Sequence, residues 1–393
     1  MRNPSRVSGR PDVPPASIDG AAPSWVEVKW PQPRARKGRG AVVNIPHRFD
    51  PVERQPDGDA LDAARLEIEG NEEEGLPPLA TTVMLETARS IINYNDSPDI
   101  PFDRSINPYR GCEHGCIYCY ARPTHSYLNL SPGLDFETKL VAKHNAAELL
   151  RRELAAPSYR VEHVAIGTVT DAYQPIEREL CLMRAVLEVL SDAHHPLGVV
   201  TKSALIERDV DLLAPMAAQG LAQAFISVTS LDSELSRILE PRAASPQRRL
   251  RAVATLARAG IPVHVNVAPI IPFINEPEIE RIMEAAAQAG AAQAHYTLVR
   301  LPWEVSPLFE QWLAVHFPDR AQRVMNRIRD MRGGRNYDST FGERMKGTGT
   351  WAALIAQRVA KARARYGLDR ATPALRTDLF APPRDAGPQL GLF

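Results

Sequence analysis

Short apolar runs alternate with helical repeats along residues 82–300, and this alternation limits the possible folds more than any other feature of the chain. Six runs predict strands at 105–110, 163–168, 197–201, 224–229, 263–268 and 295–300. Periodic apolar positions predict helices between them at 143–154, 177–193, 208–219, 246–259 and 278–289. Strands and helices that alternate at about 30-residue intervals form βαβ units. The core is therefore predicted to be an α/β fold built on a parallel sheet.

Six such units favour a barrel or a partial barrel of the TIM type, with a helical C-terminal extension and disordered tails at both ends. A Rossmann sheet is disfavoured because no glycine-rich fingerprint opens the first helix, although the spacing leaves another doubly wound fold open. Composition and periodicity divide the chain into four predicted segments. These are a mostly disordered region at 1–80 that is rich in proline and in blocks of like charge, the barrel core at 81–300, a basic helical extension at 301–366, and a flexible tail at 367–393.

Proline and charge distinguish the first segment from the core. Twelve of the 34 prolines lie within residues 1–78, and nine acidic residues lie between Glu53 and Glu74. Such a composition buries too little apolar surface to offset the entropy of ordering the chain. Within this segment, residues 41–49 (AVVNIPHRF) are the exception, and we expect them to lie against the main domain.

The sequence has no apolar run of membrane-spanning length and no apolar signal core at its N-terminus. Its four cysteines are too few for a disulfide scaffold. We therefore expect a cytoplasmic protein with no membrane partner.

Three of the four cysteines, Cys112, Cys116 and Cys119, form a C-x3-C-x2-C pattern just after the first predicted strand. Thiolates bind iron–sulfur clusters and zinc, so three thiols on one loop predict a metal site. A structural zinc ion would need a fourth ligand, for which His114 is the nearest candidate. A cluster held by three cysteines would keep one iron open to an external ligand.

With an aromatic residue directly before its last cysteine, the pattern resembles the signature of radical S-adenosylmethionine (radical SAM) enzymes. The longer sequence NPYRGCEHGCIYCYAR is similar to the branch that contains spore photoproduct lyase and the related "DNA repair photolyases". The resemblance implies a partial (β/α)6 barrel, with a [4Fe–4S] cluster on Cys112, Cys116 and Cys119 and SAM bound at the fourth iron. It also implies lyase-like chemistry, in which SAM is cleaved to a 5′-deoxyadenosyl radical, and an electron donor such as flavodoxin or ferredoxin.

The same resemblance implies roles for six further residues: cofactor binding by Tyr118, Thr170, Lys202 and Ser227, and catalysis by Tyr120 and Asp171. Lys202 is expected at the carboxylate of SAM, which needs a charge partner in a dry pocket. Asp171 follows the second predicted strand, where barrel enzymes place their chemistry.

One position departs from the resemblance. The spore enzyme has a cysteine that donates a hydrogen atom to the product radical, and Thr168 stands in the corresponding place here. Because a hydroxyl group is a poor hydrogen-atom donor, dimer reversal by that route is not expected to carry over. The remaining thiol, Cys181, lies between two leucines in a predicted helix, where a buried structural cysteine is expected.

The total charge of zero conceals a basic segment, since residues 320–376 contain fourteen Lys or Arg against four acids. Arg358, Lys361 and Arg365 recur at spacings of three and four, which predicts a charged stripe on one helix. The stripe suits phosphate contact, and aromatic residues for base stacking accompany it: Tyr337, Trp351 and Tyr366. Nucleic acid, DNA in particular, is therefore the predicted substrate. A solvated helix face is the alternative interpretation.

The last five residues resemble the peptide by which bacterial replication and repair proteins bind the DNA polymerase sliding clamp. An extended tail with a glutamine anchor and a Leu-Phe pair fits a short apolar groove. The resemblance implies clamp contact through Gln389, Leu390, Leu392 and Phe393, although Gly391 stands where a polar residue is usual.

These observations predict a radical SAM enzyme that acts on nucleic acid, in DNA repair. Two alternatives remain at this point: a radical SAM enzyme that modifies RNA, a protein or a small metabolite, and a zinc-stabilised nucleic-acid-binding protein without catalysis.

Overall fold

The computed structural model describes residues 34–50 and 79–383. In chain order its strands are β1 (Thr82–Glu86), β2 (Ile92–Tyr94), β3 (Arg104–Ile106), β4 (Tyr109–Arg110), β5 (Lys139–Lys143), β6 (Val164–Ile166), β7 (Leu197–Thr201), β8 (Ala222–Ser227), β9 (Val263–Ile270) and β10 (Gln293–Leu298). Seven of them form one sheet in the order β10-β9-β8-β7-β6-β3-β2. All neighbours in it are parallel except β2, which pairs antiparallel with β3 at one edge.

The α-helices are α1 (Asp135–Thr138), α2 (Ala146–Ala155), α3 (Glu177–Leu180), α4 (Leu182–Asp192), α5 (Val210–Ala218), α6 (Ser233–Leu239), α7 (Pro246–Arg258), α8 (Ile279–Gln288), α9 (Val305–His316), α10 (Pro318–Asp330) and α11 (Gly349–Tyr366). Short 3-10 helices span Arg122–Leu128, Ala204–Asp209 and Glu276–Glu278. Helices follow the parallel strands, as βαβ units require.

The predicted α/β fold with a parallel sheet is confirmed, because each of the six predicted strands coincides with one of the six parallel strands. The two edge strands, β10 and β2, are not paired to each other in the described residues, as expected of a partial barrel. The first predicted strand is longer than the observed one, since the chain leaves the large sheet after Ile106 and β4 pairs with β5 instead. The helix predicted at 177–193 is interrupted at Cys181, where φ is +52°.

A second, three-stranded sheet in the order β1-β5-β4 was not predicted. Its strand β1 exposes Met84 and Leu85, each with more than 60% of its surface accessible. A short strand that is exposed on both faces lacks the alternation that identifies strands in a sequence.

Alternate residues of the central strands face the apolar core on one side of the sheet and the cavity on the other. Val263 and Val265 of β9 are buried in the core cluster beneath the helices, whereas Asn266 faces a cavity on the other side of the sheet. In β8, Ile226 and Ser227 divide in the same way. Successive side chains of a strand point to opposite faces, so the sheet presents an apolar outer face and a more polar inner face.

A glycine-rich loop at 331–348 joins α10 to α11 and lies against the end of β10, where Leu298 N donates to Met345 O at 3.0 Å. Arg344 in this loop pairs with Asp99 at 2.5 Å, and Gly342 N donates to the same carboxylate at 2.6 Å. Asp99 belongs to the loop between β2 and β3. The loop therefore links the β10 edge of the sheet to the β2 edge.

The packed part of the chain extends beyond the boundary predicted at residue 366. Leu368 is fully buried in the core, and Ala381 N donates to Ala193 O at 2.9 Å. The predicted clamp-binding residues, from Gln389 to Phe393, lie outside the described residues.

Residues 34–50 confirm the expectation that part of the N-terminal region lies against the main domain. Ala41 and Val42 are buried, and Ile45 N donates to Ser131 Oγ at 2.9 Å. Arg48 pairs with Glu304 at 3.1 Å.

None of the helices in the described ranges has both the length and the apolar character needed to cross a membrane.

Candidate active site

A cavity of about 340 Å³ lies at the carboxyl ends of the parallel strands. It is lined by all nine residues predicted for metal binding, cofactor binding and catalysis: Cys112, Cys116, Tyr118, Cys119, Tyr120, Thr170, Asp171, Lys202 and Ser227. This end of a barrel gathers the loops that follow different strands. The fold therefore brings together residues that lie up to 115 positions apart in the sequence.

The fully buried guanidinium of Arg122 holds the backbone of the cysteine loop, residues 112–119, in place. Arg122 Nε donates to Cys116 O at 2.9 Å, and one Nη donates to Gly115 O at 3.1 Å. Its charge is balanced by Glu137, also fully buried, at 2.5 Å. A buried ion pair whose remaining donors all find acceptors holds the loop backbone in one conformation.

A strap formed by residues 39–42 covers the same loop. Gly40 N and Ala41 N donate to the Glu137 carboxylate at 3.0 and 2.8 Å. A Cβ atom at residue 40 would overlap the carbonyl oxygen of Gly115 and lie 3.3 Å from Ile117 N. Glycine is required at residue 40 because the strap backbone lies directly on the cysteine loop.

The three cysteines fit a [4Fe–4S] cluster by their chemistry and placement. All three are free thiols that line the one cavity, and Cys112 and Cys116 are buried. Burial raises the pKa of Cys116 to about 12 and raises that of Cys112 as well. A cluster places each thiolate on a different iron.

Asp171 is held by donors from three parts of the chain. It accepts from Thr201 Oγ1 and Lys202 N at 2.7 Å each, and from Tyr173 N at 2.9 Å. His114 Nδ1 lies 3.2 Å from Oδ2, the oxygen that also accepts from Lys202 N. Burial alone would raise the pKa of Asp171, but His114 and these hydrogen bonds hold that pKa well below its usual range. The carboxylate is therefore ionised, and its hydrogen bonds to Thr201 and Lys202 hold the loop after β7 in place.

Lys202 extends into the cavity beside a buried network that the sequence did not predict. Glu240 and Arg249, both 1% exposed, form an ion pair, and Tyr118 donates its hydroxyl to Glu240. Thr229 also donates to Glu240, at 2.5 Å. Burial would lower the pKa of Lys202, but Cys116 and Glu240 raise it above its usual value. The ammonium lies 5.9 Å from the Tyr118 ring and is available to an anionic ligand in the cavity.

The lining of the cavity is more exposed at Tyr120 than at Cys112, Cys116 and Tyr118. Tyr120 is 45% exposed and donates its hydroxyl to the backbone oxygen of Thr168. The guanidinium of Arg300 lies over the Tyr120 ring, 4.5 Å from its centroid. Thr168 itself lines the cavity.

Thr170 and Ser227 line the cavity but also have structural contacts. Thr170 Oγ1 donates to Tyr109 O at 3.2 Å, which ties its loop to β4. Ser227 O accepts from Arg249 at 3.1 Å, whereas its hydroxyl has no protein partner in the described residues.

One interpretation of the sequence is wrong, and another is only partly met by the structure. Cys181 is exposed rather than buried, because it sits at the break between α3 and α4, with Arg208 3.7 Å from its sulfur. The proposed phosphate-binding stripe on α11 is also incomplete, since Arg358 pairs with Glu276 and Glu280 at 3.0 and 2.8 Å. Glu276, in a 3-10 helix, and Glu280, in α8, balance the charge of Arg358. A sequence pattern within α11 cannot reveal these partners.

Comparison with known proteins identifies the class that this fold and site define. Residues 106–286 match the model of the radical SAM superfamily. This stretch of the chain is a radical SAM domain, and the enzymes of that superfamily use a [4Fe–4S] cluster and SAM.

Two of the relatives carry the name uncharacterized protein. A protein of Mycobacterium tuberculosis is 38% identical over 226 residues, which are 57% of this chain and 66% of that protein. A protein of Methanocaldococcus jannaschii is 27% identical over 222 residues, 56% of this chain and 79% of that protein. The aligned region thus spans just under two thirds of the mycobacterial protein.

Among solved structures, the fold is similar to that of spore photoproduct lyase. One variant of that enzyme superposes with a TM-score of 0.51 at 17% identity, covering 72% of this chain and 79% of the other. A complex of the lyase with dinucleoside spore photoproduct gives a TM-score of 0.50, also at 17% identity, over 72% and 78%.

Sequence reasoning missed the residues that act across long distances along the chain: Gly40, Arg122, Glu137, Glu240, Arg249 and Arg300. Gly40 carried a partial signal, since it adjoins the segment at 41–49 that was expected to pack against the domain. Glu240 and Arg249 carried none, because a charged residue on or beside a helix is usually solvated.

Proposed function

We propose that the protein is a radical SAM enzyme that acts on nucleic acid, as a DNA repair enzyme with lyase-like chemistry. When bound, a reduced cluster would donate one electron to the sulfonium of SAM, and cleavage of the C5′–S bond would give methionine and a 5′-deoxyadenosyl radical able to abstract a hydrogen atom. The observation that carries the proposal is one cavity with two unlike walls. We call the lining formed by the three cysteines and Lys202 the cofactor wall, and the lining formed by Tyr120 and Arg300, where Tyr120 is exposed, the substrate wall.

The chain's own residues have separable tasks in this proposal. Cys112, Cys116 and Cys119 would hold the cluster, and Lys202 would bind the carboxylate of SAM. Tyr118, Ser227 and Thr170 line the volume that the rest of SAM would fill. Asp171 orients Lys202 through its backbone amide, so we assign it a positioning role.

Tyr120 is the proposed catalytic residue on the substrate wall. Its phenol contacts Thr168, the residue that stands where spore photoproduct lyase has its hydrogen-donating cysteine. A threonine hydroxyl does not replace that thiol. The dinucleoside photoproduct bound by the lyase therefore suggests the class of substrate, nucleic acid, rather than the reaction.

Anaerobic reconstitution with iron, sulfide, SAM and a reductant tests the proposal. We expect a brown protein that releases 5′-deoxyadenosine, with deuterium transferred into it from labelled DNA. The Cys119→Ala variant should lose the colour and SAM cleavage, whereas Cys181→Ser should keep both because its sulfur is remote from the cavity. A colourless zinc protein would overturn the proposal, and label transfer only from RNA, peptide or a metabolite would reassign the substrate.

The C-terminal pentapeptide supplies a proposed link to replication through the sliding clamp. Deleting residues 389–393 should abolish binding to purified clamp without changing SAM cleavage. Undiminished clamp binding by the shortened chain would refute this assignment.

A further inference from the structure

Arg300 differs from the arginines around it because it has no polar partner in the described part of the chain. Arg344 pairs with Asp99, and Arg332 donates to Val299 O and Glu343 O at 3.0 Å each. Arg300 is near enough to lower the pKa of Asp99, but Arg344 and Gly342 N occupy that carboxylate. The Arg300 guanidinium therefore lines the cavity with its N–H groups unsatisfied by protein.

Tyr120 fixes the orientation of this cation. The phenol hydroxyl is anchored on Thr168 O, and the guanidinium lies over the ring face. Stacking leaves the edge of a guanidinium free, and that edge carries donors in a planar fork that matches two oxygens of a phosphate. A stacked arginine thus forms a prepared site for an oxyanion, with little conformational entropy left to lose.

The two cations of the cavity occupy different surroundings. Lys202 lies against Tyr118, Cys116 and Glu240 on the buried wall, where the carboxylate of SAM is proposed to bind. Arg300 lies on the exposed wall with Tyr120. Since Lys202 serves the cofactor, the charge of Arg300 remains for the other reactant.

We propose that Arg300, stacked on Tyr120, binds one phosphodiester group of the nucleic-acid substrate and thereby sets which nucleotide enters the cavity. This inference rests on the proposed function. It adds a phosphate site that is distinct from the cofactor site and from the basic residues of α11.

The test uses the reconstituted holoenzyme with SAM and a fluorescent single-stranded oligonucleotide. A series of oligonucleotides carries one uncharged methylphosphonate linkage at each position in turn. For the wild type, we expect neutralisation at one linkage to weaken binding about tenfold, the scale of a charged hydrogen bond. Arg300→Gln should bind about tenfold more weakly overall and lose its sensitivity at that linkage. Its dependence on salt should also fall by about one phosphate contact.

Two further variants provide controls. Arg300→Lys keeps the charge without the planar fork and should bind with intermediate affinity. Arg258→Gln removes the same charge at the exposed end of α7, before β9 begins and so at the opposite end of the sheet, and should bind like the wild type.

The possible failures are distinguishable. If the wild type binds no oligonucleotide, the proposed function itself fails. If the wild type binds and Arg300→Gln keeps the same linkage sensitivity, the phosphate site is refuted while the proposed function stands. If Arg300→Gln weakens SAM binding instead, Arg300 belongs to the cofactor site and the inference is overturned.

Discussion

The two walls of the cavity are built differently. On the proposed cofactor wall, Asp171 is engaged by several protein partners. Glu240 and Arg249, which do not line the cavity themselves, are engaged in the same way and are almost inaccessible. On the substrate wall, Tyr120 is half exposed and Arg300 has only a ring for a partner. A wall that always binds the same ligand can have most of its polar side chains hydrogen-bonded within the protein. A wall that receives a reactant keeps its hydrogen-bonding capacity for that reactant.

Among the substitutions that test this comparison, Glu240→Gln is expected to lower the free energy of unfolding the most. It leaves Arg249 buried without a counter-charge, which typically costs about 3–5 kcal/mol of unfolding free energy. The same substitution at Glu280, whose side chain is 43% exposed beside Arg358, should cost less than about 1 kcal/mol. Urea unfolding of both variants measures the difference, and equal losses would break the comparison.

The same variant has a pH signature. Burial would raise the pKa of Glu240, but Arg249 and Lys202 lower it below its ordinary value of 4.5. The stabilisation from this ion pair is therefore present above pH 4.5 and is lost as the pH falls through the lower, folded-state pKa. The gap in unfolding free energy between wild type and Glu240→Gln should narrow in that acidic range. A gap that is constant with pH would contradict the assignment.

A smaller effect on stability is expected from Gly40→Ala, because the new methyl group must displace the Gly115 carbonyl. Overpacking of this kind costs about 1–3 kcal/mol. Its specific consequence is on the cluster, and we expect less iron per chain and an altered electron paramagnetic resonance spectrum.

Gly38→Ala is the matched control for the strap. Its φ of +72° makes alanine unfavourable by roughly 1–2 kcal/mol, but no atom lies within 4 Å of the added Cβ. It should lose stability and keep its iron. Equal iron content in both variants would show that the strap does not position the cysteine loop.

The smallest effect on stability is expected on the substrate wall. Tyr120→Phe removes one partly exposed hydrogen bond, worth about 0.5–1.5 kcal/mol, and keeps the ring under Arg300. It should bind oligonucleotide as the wild type does, whereas Tyr120→Ala should weaken binding by removing the ring. Anisotropy titrations measure both. A loss of stability as large as that of Glu240→Gln would remove the distinction between the walls.

The sequence predicts local features of this molecule well and long-range ones poorly. The six parallel strands were predicted because each is a short apolar run between helical repeats, and the cysteines because their spacing is rare by chance. Cys181 was misassigned because its leucine neighbours hide the helix break at that residue. The contacts of Glu137 with Gly40 and of Arg358 with Glu276 join residues more than 80 positions apart, and neither partner marks the other in the sequence.

The loop that links the two edges of the sheet has a consequence for long molecules. A polymer enters a closed barrel only by threading one end through it. A sheet whose edge strands β2 and β10 are unpaired can receive an internal stretch of a polymer from that side. Across that side, Arg344 and Gly342 bond the carboxylate of Asp99 in place of a ladder of paired strands. In the described residues, loop contacts rather than strand pairing therefore close this side of the sheet.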